Sequence, residues 1–282
     1  MNVTRTPVAV TGSTGALGGA VAASLAAAGA SQRLLVRNAV RAPSHPGADV
    51  AQCSYSDATA AVQALAGIEV LFMVSASESA DRVDQQRTFV DSAVAAGVRH
   101  IVYTSFVGAA PDAVFTLARD HHATESHIRS TGIGFTFLRD NFYLDVMEHF
   151  VGEDGVLRGP AGEGRAALVA RVDVARTAAA VLSDPARHLG RTYDLTGPEA
   201  LSMTEVAATL SDVRGVDVRF HDETVAEAYE SRARWAAPAW QNDAWVSTYT
   251  AIASGALADV SGDVEEIIGR RPLSFREFLT VG

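Results

Sequence analysis

Lysine is absent from this chain of 282 residues, and all 23 of its basic side chains are arginine. That absence excludes chemistry built on a lysine amine, such as a Schiff base or a Tyr-x-x-x-Lys acid pair. Cysteine is represented by Cys53 alone, which leaves no disulfide framework and no zinc site made of thiolates. No apolar run approaches the roughly 20 residues needed to span a bilayer. No apolar leader follows Met1-Asn2-Val3-Thr4. Basic tracts are missing too, and a net charge of -10 repels nucleic-acid phosphates at long range. The expectation is a cytoplasmic protein, monomer or homodimer, that meets a small molecule rather than nucleic acid or a membrane.

What is present begins with residues 11–19, T-G-S-T-G-A-L-G-G, directly after the apolar run Val8-Ala9-Val10 and before an alanine-rich segment. A strand, a tight turn and a helix N-terminus in that order make an anion site. Backbone N–H groups and the positive end of the helix dipole point at a pyrophosphate. Gly12, Gly15 and Gly18 are spaced G-x-x-G-x-x-G, one residue wider at the first gap than the dinucleotide fingerprint. Gly12 turns the chain, Gly15 lets backbone approach phosphate, and Gly18 lets the helix lie against the sheet.

The following strand selects the dinucleotide. It reads Arg33-Leu34-Leu35-Val36 and ends at Arg37, roughly twenty residues after the last motif glycine. An acid there would take a ribose 2′-OH and repel a 2′-phosphate, whereas a guanidinium binds that phosphate through two hydrogen bonds. Arg41 is close enough in sequence to be a second partner. NADP(H) is therefore the expected cofactor, and no metal is expected.

Alternating apolar and amphipathic segments predict an α/β fold, a doubly wound parallel sheet of the Rossmann type with a smaller, mainly helical C-terminal lobe. Strands are predicted at 7–11, 33–37, 49–53, 69–75, 100–105, 135–139 and 191–196. Helices are predicted at 17–28, 58–66, 82–96, 119–131, 172–183, 203–212, 223–233, 243–254 and 263–268. Gly29, Gly97 and Gly132 each end a helical run as left-handed caps. Ser202-x-x-Glu205 and Ser274-x-x-Glu277 read as capping boxes. Residues 152–164 read as a connector with a short hairpin. The strict alternation fades past Pro198, so residues 1–197 are assigned to a nucleotide-binding domain and 198–282 to a substrate-covering lobe.

Candidate chemistry gathers at strand ends, where ligands of open α/β sheets bind. Asp57 follows the third strand and suits either the adenine amino group or a helix cap. Ser75-Ala76-Ser77 and Ser105 end the fourth and fifth strands and are expected to line the cofactor crevice. In Asp120-His121-His122, neighbours diverge by about 100° on a helix, so only one histidine can face that crevice. Arg139-Asp140-Asn141-Phe142-Tyr143 closes the sixth strand, with Phe142 suited either to stacking on a flat ring or to the core. Trp240, Trp245 and Tyr249 suggest an apolar lid, with core or interface packing as the alternative.

The turn T-G-S-T-G-A-L-G, the strand end L-V-R-N, the stretch H-H-A-T-E-S-H-I-R-S-T-G-I-G-F-T-F-L-R-D-N-F-Y and the tail I-I-G-R-R-P-L-S-F-R-E-F together resemble the NmrA-like atypical short-chain dehydrogenases. Within these, the chain is similar to the branch of NAD(P)H:quinone oxidoreductase type 2 and triphenylmethane reductase. The resemblance runs nearly end to end. It implies a Rossmann core holding NADP(H) and a planar, electron-poor substrate, with hydride transfer to a quinone, enone or dye. By motif, Gly12, Ser13, Thr14, Gly15, Ala16 and Leu17 would hold the pyrophosphate, and Arg37 the 2′-phosphate. Ser75, Ala76 and Ser77 would line the ribose side, and Asp140, Asn141, Phe142 and Tyr143 the nicotinamide. His121 would face the active site, with His121 or Tyr143 donating a proton. The chain departs from the pattern at Ser126, where many relatives have lysine, and at Asp145-Val146, where quinone reductases carry Glu-Asn. The same superfamily contains non-enzymatic NADP(H) sensors that regulate protein partners, which stands as the alternative role.

Overall fold

Short β-branched and leucine-rich runs alternate with alanine-rich segments closed by glycine, and each run becomes a strand and each segment a helix. The computed structural model describes residues 7–281. The strands are β1 (Val8–Thr11), β2 (Gln32–Val36), β3 (Ala48–Gln52), β4 (Val70–Met73), β5 (His100–Phe106), β6 (Gly134–Asp140), β7 (Val156–Gly159), β8 (Arg165–Ala166), β9 (Arg191–Leu195), β10 (Leu201–Ser202) and β11 (Arg219–Asp222). The helices are α1 (Ala16–Ala27), α2 (Ala58–Leu65), α3 (Arg82–Ala95), α4 (Thr116–Ser130), α5 (Arg171–Ser183), α6 (Met203–Arg214), α7 (Val225–Arg232), α8 (Ala239–Ala253), α9 (Asp263–Ile268) and α10 (Phe275–Val281).

The main sheet has seven strands in the order β3-β2-β1-β4-β5-β6-β9, and the pairings from β3 through β5 are parallel. The chain winds outward from β1 to β3 and then returns to place β4 on the other side of β1. That reversal is the topological switch point, where a ligand finds space beyond the strands' carboxyl ends. All seven strands fall where the sequence predicts them. Gly29, Gly97 and Gly132 adopt the left-handed conformation, at φ of 71°, 86° and 74°. Helices α4 and α8 begin several residues earlier than predicted, α8 directly after Pro238.

The chain divides into two compact units. The first comprises residues 1–105, 120–139 and 174–193, and its core is built around Leu71, Phe89, Tyr103 and Phe137. The second comprises 106–119, 140–173 and 194–282, with a core around Leu157, Met203, Tyr249 and Phe275. It therefore draws on segments ahead of Pro198 as well as on those after it. Within it β7 pairs in parallel with β11, and β8 pairs antiparallel with β10. The hairpin expected in 152–164 shrinks to one antiparallel bridge, Val151 to Leu157. Val156 and Leu157 are both buried, and the partner that covers them lies some sixty residues downstream, beyond the reach of a local reading. The capping boxes at Ser202 and Ser274 form, and Thr224 with Glu227 makes a third.

Candidate functional site

In the first unit, Gly12 sits at φ +64°, a conformation that favours glycine, and a β-carbon there would lie 3.2 Å from Val74 Cβ. A β-carbon on Gly18 would collide with the Gly12 carbonyl, and one on Gly15 would lie 3.3 Å from it. The Gly15 N–H closes the turn onto Gly12 O at 2.8 Å. Helix α1 starts without a side-chain cap and without an acid in its first turn, so its orphan N–H groups and dipole are left for an external anion. Gly12, Thr14, Gly15 and Ala16 are exposed, whereas Ser13 and Leu17 are buried. Ser13 Oγ meets no partner among the described residues. A glycine cradle, an uncapped dipole and an orphaned hydroxyl all fit a dinucleotide pyrophosphate.

Below the turn, Thr11 Oγ1 ties β1 to β4 by accepting from Val74 N at 2.8 Å, and the Tyr55 hydroxyl lies 2.7 Å from it. Arg37 is exposed just past the end of β2 and meets no acid among the described residues. It lines a cavity of about 320 Å³ with Gln52, Cys53, Ser54, Asp57 and Ala60. Asp57 caps α2 by accepting from Ala60 N at 3.0 Å and faces the same cavity, so both roles weighed for it are open to one side chain. Burial pushes the Cys53 thiol up to about 11, with the Asp57 charge adding to it, which keeps this thiol protonated at neutral pH.

The segment Ser75-Ala76-Ser77 is held from behind. Thr104 Oγ1 accepts from Ser75 N at 2.8 Å, Gln86 Oε1 accepts from Ala76 N at 3.1 Å, and Arg82 Nε donates to Ala76 O at 2.9 Å. His121 belongs to the same network. Arg82 Nη2 lies 3.0 Å from its Nε2, and the Tyr103 hydroxyl lies 3.0 Å from its Nδ1. A guanidinium only donates, so Nε2 accepts and the ring proton sits on Nδ1, directed at Tyr103. Tyr103 in turn donates to Gln86 Oε1 at 3.1 Å, and Gln86 Nε2 donates to Thr124 at 2.9 Å. Burial holds the His121 pKa well below its ordinary value, and Arg82 and Arg139 push the same way. His121 is a neutral strut in a directed chain, with its one proton committed. Sequence reasoning passed over Arg82, Gln86 and Tyr103 because nothing local marks them.

Ser105 and the H-x-A-T-E block meet at Glu125. This fully buried carboxylate accepts from Ser105 Oγ at 2.7 Å, from Arg139 at 2.8 Å through two nitrogens, and from Arg129 at 3.1 Å. Its charge is paired and its lone pairs are occupied, which makes a buried carboxylate tolerable. Ser105, which the sequence offered either to the crevice or to local hydrogen bonding, anchors α4 through this bond.

In the second unit, Asp140 and Asn141 are buried and Phe142 and Tyr143 are half-buried. Asn141 Nδ2 donates to Leu257 O at 3.0 Å. Phe142 sits 4.9 Å from the Phe106 ring and 5.1 Å from Phe115, an aromatic cluster that takes the core reading of Phe142. Tyr143 donates to Asp140 Oδ2 at 2.5 Å, and Arg171 lies over the Tyr143 ring at 4.7 Å. Burial raises the Asp140 pKa to about 8, and the same cause, with Asp140 itself, lifts Tyr143 above its ordinary value. Of the three residues expected to form a lid, Trp240 is half-buried. Tyr249 is buried in this unit's core, with Arg232 5.3 Å above its ring, whereas Trp245 is half-buried and meets the exposed Trp235 edge-on at 5.8 Å. Among the described residues no helix is long and apolar enough to cross a membrane. No group of three or more His, Cys, Asp or Glu that could hold a metal occurs among them either.

A family model described as the NmrA-like family matches residues 4–232. The (4-alkanoyl-5-oxo-2,5-dihydrofuran-3-yl)methyl phosphate reductase of Streptomyces griseus is 33% identical over 277 residues, covering 96% of each chain. The crystal structure of an NADPH-dependent quinone oxidoreductase from Escherichia coli, complexed with NADPH, is 32% identical. It matches with a TM-score of 0.89 over 97% of this chain and 99% of that one. The triphenylmethane reductase of Citrobacter sp., complexed with NADP(H), is 30% identical, with a TM-score of 0.86 over the same shares, 97% and 99%.

Proposed function

Because the chain belongs to the NmrA-like family, we propose that it is an NADPH-dependent reductase passing a hydride to a small conjugated acceptor of the quinone, enone or cationic-dye type. The observation that carries this reading is the acid-free, uncapped N-terminus of α1 with the exposed Arg37 at the end of the adjoining strand β2. Two anion sites of that kind suit a pyrophosphate and a 2′-phosphate. Gly12, Ser13, Thr14, Gly15, Ala16 and Leu17 would take the first, Arg37 the second, and Asp57 the adenine. Ser75, Ala76 and Ser77 would line the ribose, on a loop already fixed by Arg82, Gln86 and Thr104. Asp140 and Tyr143 would serve the nicotinamide end, with Asn141 and Phe142 holding them from the core.

When bound, the dinucleotide supplies the hydride, and holding a planar acceptor against it can supply much of the rate. The chain's own residues then manage orientation and the proton. His121 and Tyr143 both hold their protons in hydrogen bonds, but the partner of Tyr143 is a buried acid that can itself supply a proton, so Tyr143 is the better donor. The three relatives named above support this range of acceptors, since their names cover an unsaturated lactone, a quinone and a dye.

The test is loss of NADPH absorbance across a panel of quinones, enones and cationic dyes, repeated with NADH. Turnover of at least one class with a preference for NADPH is expected. No turnover with any acceptor, together with unequal binding of NADP+ and NADPH, would assign the protein to redox sensing instead.

A further inference from the structure

Asp140 closes β6 with 3% of its surface exposed. Its Oδ2 accepts the Tyr143 hydroxyl, while its buried Oδ1 meets no donor among the described residues. The charged groups around the pair are few. Arg171 lies over the Tyr143 ring at 4.7 Å and is itself 3.9 Å from the Asp145 carboxylate, whose other oxygen accepts from Arg171 N at 2.9 Å. No arginine pairs with Asp140 among the described residues, in contrast to Glu125 and Asp173, which are buried and paired. A buried carboxyl group with one hydrogen bond and no cation favours its neutral form.

We infer that Asp140 is the proton reservoir of the reductase, a carboxylic acid that recharges Tyr143 as Tyr143 protonates the reduced acceptor. The inference rests on the reductase reading. When a quinone receives a hydride, two electrons and one hydrogen leave the dihydronicotinamide, which is oxidised, and the quinone becomes a hydroquinonate anion. The Tyr143 O–H bond breaks as the hydroquinonate oxygen takes that proton. Tyr143, now a phenolate, becomes the acceptor of its hydrogen bond with Asp140, and the Asp140 O–H bond breaks as the proton crosses to it. Asp140 is left as a carboxylate and is reprotonated from water. Directed transfer along two adjacent groups allows a phenol, a weak acid on its own, to act at neutral pH. The chain has no lysine to fill this role.

Acceptor chemistry provides the control. A triarylmethane cation becomes its neutral leuco form on taking a hydride and needs no proton, whereas a quinone needs one. The decisive quantity is the ratio of quinone to dye kcat, because any effect on cofactor binding or fold enters both and cancels. Asp140→Asn keeps an acceptor for Tyr143 but has no acid proton, and it should lower that ratio about a hundredfold. Tyr143→Phe should lower it similarly. In the wild type the ratio should fall as pH rises through about 8. Independently of turnover, infrared titration of the cofactor-free protein should show a carboxylic-acid carbonyl stretch that disappears over the same range and is missing in Asp140→Asn. An unchanged ratio in Asp140→Asn, or no such band below pH 7, overturns the relay alone. A wild type that turns over neither acceptor overturns the reductase reading and the relay with it.

Discussion

Among single residues, Arg37 is the one we propose as the discriminator between NADPH and NADH. Its guanidinium is exposed beside a cavity and meets no acid among the described residues. Arg37→Ala should therefore leave the fold intact while removing charge-assisted hydrogen bonds worth about 1.5–3 kcal/mol each. Fluorescence titration is expected to show NADPH binding weakened by roughly ten- to a hundredfold and NADH binding hardly altered. Equal weakening of both would mean that Arg37 does not read the 2′-phosphate. The contrast between Asp140 and Glu125 makes the same point about acids. Both are buried, and among the described residues only Glu125 is paired with arginines.

At the scale of an element, α8 separates packing from contact with a ligand. Trp245 and Tyr249 are i, i+4 neighbours, yet Tyr249 is buried in the core of the second unit and Trp245 is half-buried against exposed Trp235. Tyr249→Ala should cost about 3–5 kcal/mol, the range for truncating a core aromatic, and should lower Tm markedly. Trp245→Ala should leave Tm nearly unchanged and raise KM for the best acceptor, if the exposed edge of α8 meets substrate. A calorimetric scan of both variants beside steady-state kinetics decides this. A large Tm loss for Trp245→Ala would end the lid idea.

For the whole molecule, two buried groups pull stability in opposite directions as pH falls. His100 is buried in the first unit with its Nε2 2.8 Å from Thr136 Oγ1, whose own hydroxyl donates to His188 O at 2.7 Å. Burial, with His188 adding, lowers the His100 pKa from 6.5 to about 4, and His121 is lowered for the same primary reason. A histidine that is neutral when folded and titrates near 6.5 when unfolded binds more protons in the unfolded state between those values. Its stabilising contribution is present above about 6.5 and is lost as pH falls through about 4. For His100 alone the loss is on the order of 3 kcal/mol at pH 4. Asp140, neutral when folded up to about 8 and titrating near 3.8 when unfolded, gains stability over the same range and opposes this loss, so between pH 7 and pH 4 the denaturant midpoint of His100→Asn should rise relative to that of the wild type. An identical pH slope in the variant would place the acid sensitivity elsewhere.

The sequence by itself determined the seven strands of the main sheet, the glycine turn after β1 and the arginine at the end of β2. These depend on hydrophobic runs, glycine conformations and spacings of a few residues to a few tens, which are visible in one dimension. The helix-ending glycines at 29, 97 and 132 and the capping boxes at Ser202 and Ser274 belong to the same class. Tertiary structure alone decided what surrounds each titratable group. Arg82 reaches His121 across 39 positions and Tyr103 reaches it across 18, and only those encounters place both of its ring nitrogens in hydrogen bonds. The pairing of β7 with β11 and the interleaving of the two units likewise join segments far apart in the chain. Asp140 was legible as a residue at a strand end. Its missing cation and its burial were not, because desolvation is set by neighbours that the fold brings together.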